Sequence, residues 1–255
     1  MTDPGELSPL DQHYATSLRL IQPEYQYQDP PQKQLLRDKI MLGTLGPIGS
    51  RKLLLRNTII QRAPEFSAFG IRTTRPRKDN DLDNFLTAEN GITHASMNKN
   101  IMQNELVDFS VSHKGHLTGS VPDDIGRFAI GKIHAESVDN LANADFKAFY
   151  AVFVLSRGAL YHRHLREKLA CSTATISQQQ LNSAESSLQF AQQNLESSFM
   201  LFVDLGDSEE ALHGAADAVI RTTHQRTRPI MTHSHIAMIL DEMDRAVQNV
   251  GRQLV

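Results

Sequence analysis

Gly46-Pro47-Ile48-Gly49-Ser50-Arg51-Lys52 is the stretch on which the reading of this chain turns. Before it, Lys39–Leu45 (KIMLGTL) reads as a short apolar strand. After it, Ser50–Arg62 places Leu53, Leu54, Ile59 and Ile60 at helical spacing. Strand, glycine turn and helix in that order open a mononucleotide-binding βα unit. Such a loop needs backbone N–H groups curled around phosphates, a lysine reaching their oxygens, and a hydroxyl for Mg²⁺. Lys52 stands where the lysine belongs, and Gly46 and Gly49 supply the turn. The strict pattern G-x-x-x-x-G-K-[ST] fails at two positions, with Arg51 in place of the second glycine and Leu53 in place of the hydroxyl. Taken alone, the same residues also read as an ordinary Gly-Pro turn carrying a surface lysine.

Further along, Phe128–Ile133, Phe149–Leu155 and Phe199–Val203 read as buried strands, and Ser208–Ile220 as the helix after the last of them. Repeated strand–helix alternation predicts a parallel α/β sheet covered by helices. Leu181–Leu195 reads as a Gln/Ser-rich amphipathic helix. Residues 233–250 read as a final helix, with Ile236, Ile239, Met243, Val247 and Val250 as its apolar stripe, after an Arg/Thr/Pro linker at 221–230. At the other end, residues 1–37 mix Gln22, Gln26, Gln28, Gln32 and Gln34 with Pro23, Pro30 and Pro31, which predicts a weakly packed extension. One short helix is expected within it, over Ser8–Ile21, with Ser8 as cap and Pro9 in the first turn.

Composition narrows the classes. The chain has 255 residues, 40% of them hydrophobic and 22% charged, which excludes wholesale disorder and permits a sizeable core. The net charge of −3 provides no global basic field for nucleic acid or an anionic membrane. A single cysteine, Cys171, excludes an intramolecular disulfide and fits a reducing compartment. The longest apolar run, Ala148–Leu155, is far short of the ~20 residues of a membrane helix. The opening Met1-Thr2-Asp3-Pro4 lacks the basic and apolar regions of a secretory signal. A cytoplasmic protein is the expectation. His233 and His235 point to opposite sides of a helix, and no neighbouring Cys or acid completes a zinc site, so no resident metal is expected there.

The segments between the loop and the last strand extend the pattern. Thr73-Thr74-Arg75-Pro76-Arg77, Asn104-Glu105-Leu106-Val107-Asp108-Phe109, Gly115-His116-Leu117-Thr118-Gly119-Ser120, and Phe199–Asp204 followed by Ser208-Glu209-Glu210-Ala211 occur in that order. In order and spacing they are similar to the threonine-arginine, acidic, tyrosine-glycine-serine and final strand–helix motifs of the guanylate kinase family. The resemblance covers roughly residues 38–222. It implies a three-layer α/β P-loop fold of the nucleoside monophosphate kinase kind. A small acceptor-nucleotide subdomain would lie at 71–120 and a helical lid at 160–182, followed by a linker and C-terminal helix at 223–255.

What the resemblance implies for individual residues is mixed. Gly46, Gly49 and Lys52 would hold the ATP phosphates. Arg75 and Arg77 would clamp the acceptor phosphate, a task suited to the guanidinium fork. Asp108 could accept from a base N–H, and Ser120 could donate a hydrogen bond in the acceptor site. Other positions depart from the family. Ile71 stands where a serine reads guanine, Asp83 and Leu117 stand where tyrosines belong, and Lys132 and His134 replace an acidic pair beside Mg²⁺. Arg163, Arg166 and Lys168 are available at the lid, but a later lid arginine falls on Gln180. The expectation is therefore a guanylate kinase-like protein with impaired catalysis that keeps a site for a nucleotide or a phosphorylated or acidic ligand. The alternative is an active kinase using ATP with Mg²⁺ to phosphorylate GMP or another nucleoside monophosphate. The apolar stripe of the C-terminal helix is expected to dock on the domain or on a second subunit, the latter giving a homo-oligomer.

Overall fold

A computed structural model of the chain describes residues 7–28, 34–78, 84–112, 114–170, 172–225 and 231–254. Asp83, Cys171 and part of the linker, residues 226–230, lie outside this set. The protein is a mixed α/β structure with nine strands and eight α-helices among the described residues. A five-stranded sheet has the order β2-β7-β1-β8-β9, where β1 is Ile40–Leu45, β2 Phe66–Ala68, β7 Phe128–Lys132, β8 Ala148–Leu155 and β9 Met200–Asp204. A four-stranded sheet has the order β4-β3-β6-β5, from Phe85–Leu86, Ile71–Thr73, Leu117–Ser120 and Asp108–Val111.

The chain divides into two compact units. The first comprises residues 1–41, 67–129 and 136–148, the second residues 42–66, 130–135 and 149–255.

Every residue of β1 is buried, as a strand covered on both faces requires. Ile133 N–H donates to Thr44 O at 3.1 Å, and in the first unit Ile40 N–H donates to Arg127 O at 2.8 Å. Both chains ascend together, so β1 and β7 run parallel. β8 and β9 are parallel too, Ala151 opposite Met200 and Leu155 opposite Asp204. Helix α2 (Lys52–Arg62) packs against α7 (Glu209–Gln225), and Arg62 makes two 2.8 Å hydrogen bonds to the Asp217 carboxylate between them.

Helix α8 (His233–Leu254) packs against α5 (Gly158–Leu169) and α6 (Ala174–Gln193). Its predicted stripe, Ile236, Ile239, Met243, Val247 and Val250, is entirely buried. The stripe is thus covered within the protomer. Glu242 of α8 accepts the Gly158 N–H at 3.0 Å, placing a carboxylate at the amino end of α5, where the helix dipole favours it. The span expected as a lid, 160–182, contributes Tyr161, Leu165, Leu169 and Leu181 to this same core.

Gly43 in β1 is a steric requirement, because a Cβ there would overlap the Ile133 side chain, with Cγ1 at 2.8 Å. Gly43→Ala is expected to cost about 1–3 kcal/mol in urea denaturation, as overpacking does. The double variant Gly43→Ala/Ile133→Ala should lose less than the sum of the two single changes. Strict additivity would show that the two sites do not compete for space.

The first unit holds the small sheet together with more of the amino-terminal segment than its composition predicts. Helix α1 (Pro9–Ile21) is capped by Ser8, whose Oγ accepts the Asp11 N–H at 3.2 Å, and Pro9 occupies its first turn. Leu18 joins a core with Met97, Ile101, Leu106, Phe109 and Leu117. Tyr25 stacks edge-on against Phe109 with ring centroids 4.9 Å apart. Only Ala15 and Leu18 of α1 are buried, so its inward stripe is too narrow to stand out in a Gln/Pro-rich stretch.

Candidate functional site

The turn after β1 adopts a left-handed backbone at three residues, Gly46 (φ +136°), Gly49 (φ +84°) and Arg51 (φ +64°). At Gly46 a Cβ would lie 3.1 Å from Val154 O. At Gly49 it would lie 3.1 Å from the Leu165 amide nitrogen, so the backbone of α5 forms the wall behind the loop. Arg51 is not a glycine, and its conformation costs about 1–2 kcal/mol. Its guanidinium donates to Gly206 O at 3.3 Å, tying the loop to the turn after β9.

Lys52 begins α2, and its ammonium folds back into the loop. It donates to Gly46 O and, at 2.7 Å, to Pro47 O. Burial pulls its pKa from 10.5 down to about 7, and the positive charge of Lys132 adds to the fall. Among the described residues no carboxylate acts on it. Ser50 turns its hydroxyl inward and donates to Pro47 O at 2.8 Å. Leu53 is 51% exposed. Lys132 and His134 sit at the exposed end of β7, and the intervening Ile133 is buried. His164 on α5 has its Nδ1 buried without a hydrogen-bond partner among the described residues. Burial, followed by the Arg51 charge, holds its pKa below the usual imidazole range.

The predicted acceptor residues lie in the first unit. Asp108 on β5 is directly opposite Ser120 on β6. Ser120 is buried, and its hydroxyl donates to Gly70 O at 2.7 Å. A hydroxyl has one proton to give, so Ser120 keeps only acceptor capacity for a ligand. Burial raises the Asp108 carboxyl from 3.8 to about 7. Neighbouring Ser137 and Asn140 side chains and the Phe109 amide work against the rise, and Glu136 adds to it. At neutral pH Asp108 is therefore poised between donating and accepting, where an ordinary carboxylate only accepts.

Arg75 and Arg77 follow β3. The Arg75 guanidinium lies 5.8 Å from the centre of the Phe85 ring and donates to Pro76 O at 2.8 Å. Arg77 is exposed, and its N–H donates to the Glu89 carboxylate at 3.3 Å. Their neighbour Arg72 is engaged by Asp124 at 2.8 Å. Ile71 lies in β3 opposite Phe85 and offers no polar atom to a base.

Several residues around these sites gave no sign in the sequence. Tyr25, whose hydroxyl donates to Leu106 O at 2.6 Å, stands close enough to Asp108 to feel its charge. Asn140 bridges Val107 O and the Tyr27 amide. These residues come from distant parts of the chain, and no local spacing links them to the acidic segment. His164 likewise reads as one more basic position on a helix face.

Among the described residues no helix is long and apolar enough to cross a membrane, and no group of three or more His, Cys, Asp or Glu is placed to hold a metal ion. No protein-family profile matches the chain, and no curated protein matches it. Among solved structures, one of those similar to it is the crystal structure of guanylate kinase from Anaplasma phagocytophilum, with a TM-score of 0.44 and 8% identity, covering 76% of this chain and 87% of that one.

Proposed function

We propose that the chain is a guanylate kinase-like domain that binds the phosphates of a nucleotide, or of another phosphorylated ligand, and is impaired in phosphoryl transfer. The observation that supports this most directly is the Gly46–Lys52 turn, where a desolvated lysine ammonium lies inside a left-handed loop and no carboxylate among the described residues compensates it. A buried cation of that kind gains most from an anion. The ordered motifs Thr73–Arg77, Asn104–Phe109 and Gly115–Ser120 add an acceptor segment in which Arg75 and Arg77 suit a phosphate and Asp108 suits a base edge. Impairment follows from Leu53, Lys132 and His134, which remove oxygen ligands and anions from the places where phosphoryl transfer uses them.

The test is calorimetric titration of ADP and ATP, paired with a coupled ADP-release assay over each nucleoside monophosphate with ATP and Mg²⁺. The expected result is nucleotide binding that weakens at least tenfold in Lys52→Met, with turnover no greater than in that variant. Turnover that disappears in Lys52→Met would establish the second reading, an active nucleoside monophosphate kinase. If neither ADP nor ATP binds, the nucleotide site does not exist.

A further inference from the structure

Nucleotide loops of this kind ordinarily work with Mg²⁺, and the donor set around Lys52 does not fit that ion. Mg²⁺ takes six oxygen ligands in near-ideal octahedral geometry, usually with one or two carboxylates among them. Here the residue after Lys52 is Leu53, an alkyl side chain. The loop hydroxyl of Ser50 is buried and turned inward to Pro47 O. The strand beside the loop ends at Lys132, and His134 follows two residues later.

Lys132, a cation, stands where the ion would need an anion. β7 lies next to β1, fixed by the 3.1 Å bond from Ile133 N–H to Thr44 O and by the 3.1 Å bond from Thr44 Oγ1 to Gly131 O. This register brings the end of β7 level with the start of the loop, close enough for the Lys132 charge to act on Lys52. An ammonium has three donors, and two of those on Lys52 go to Gly46 O and Pro47 O. The exposed Lys132 and the buried Lys52 ammonium repel each other, and an anion beside both turns the repulsion into two attractions.

From this juxtaposition of Lys52 and Lys132 at the mouth of the loop, we infer that the site binds phosphate anions without a divalent metal, Lys132 supplying the positive charge that Mg²⁺ would otherwise bring. The inference rests on the phosphate-site reading given under Proposed function, and narrows the ligand to the metal-free form of a di- or triphosphate. A chelated Mg²⁺–phosphate complex has lost much of the negative charge that the two ammonium groups attract, and brings a third cation to them.

The test is calorimetric titration of inorganic pyrophosphate into the full chain, once with EDTA and once with excess Mg²⁺. Binding in EDTA is expected to be at least as tight as in Mg²⁺. Lys132→Met should weaken the EDTA titration about tenfold, the equivalent of ~1.4 kcal/mol. Lys132→Glu should abolish it. Lys132 is an exposed strand-end residue, so both variants should fold, which thermal melts would verify. Binding that requires Mg²⁺ but is lost in Lys52→Met would overturn this inference and leave the phosphate site standing. An unchanged EDTA titration in Lys132→Met would overturn the role given to Lys132. Pyrophosphate failing to bind under either condition would remove the phosphate site together with this inference.

Discussion

Lys52→Met is expected to stabilise the protein at neutral pH while it removes anion binding. The folded state lowers the Lys52 pKa from 10.5 to about 7. The unfolded chain therefore binds more protons between those two values, and stability rises with pH across that window. Below about pH 7 the folded protein holds a charged, desolvated ammonium at its full cost. By about pH 10.5 that cost is gone. The shift corresponds to about 5 kcal/mol at its upper limit. Methionine keeps the length of the side chain and brings no charge into the loop. Urea denaturation at pH 6.5 should show a gain of about 2 kcal/mol in the variant, with the difference shrinking towards pH 10. A variant less stable than the parent at pH 6.5 would mean that the hydrogen bonds to Gly46 O and Pro47 O outweigh desolvation. Function and stability then pull against each other at one residue, as they do where a site is built for a ligand it must wait for.

Asp108→Asn is the second large effect, with the opposite slope. Burial raises the carboxyl pKa from 3.8 to about 7, so the folded state binds more protons between those values. Stability falls as pH rises through that window. Above about pH 7 the folded protein carries an ionised Asp108 at a cost of about 2 kcal/mol, after allowing for the side chain's partial exposure. Asparagine is neutral throughout and nearly isosteric. Thermal melts from pH 4 to pH 8 should therefore show a flatter profile in Asp108→Asn and a higher midpoint at pH 8. Parallel profiles for the two proteins would show that Asp108 titrates as an ordinary surface carboxylate. The same variant also fixes one half of the donor–acceptor choice that Asp108 has near neutrality.

Four of the five strands of the large sheet were legible because they are mainly apolar, while the three-residue β2, Phe66–Ala68, was not read as a strand. Ile40–Leu45, Phe128–Lys132, Ala148–Leu155 and Met200–Asp204 each fall within one or two residues of the stretch read as a strand. Long helices with wide stripes, α7 and α8, were equally clear. The small sheet was not, because strands of two to four residues such as Phe85–Leu86 are too short to show alternation. The candidate site divides along the same line. The turn from Gly46 to Lys52 is local, so its glycines and lysine could be read in order. That Ser120 commits its proton to Gly70 O, that α5 backs Gly49, and that Tyr25 and Asn140 stand near Asp108 are all consequences of tertiary packing. Spacing along the chain carries no record of them.

The packing of α5 between the loop and α8 has a consequence for biosynthesis. α5 touches Gly49 through the Leu165 backbone, and one of its partners, α8, is translated well after it. Until Ile239, Met243 and Glu242 arrive, Tyr161 and Leu165 have no cover and the amino end of α5 lacks its carboxylate cap. A nascent chain can form the strand and the turn early, but the rigid wall behind the turn is complete only once translation has passed the final helix. Ribosome-bound chains arrested before residue 233 should accordingly expose an apolar α5 face to chaperones.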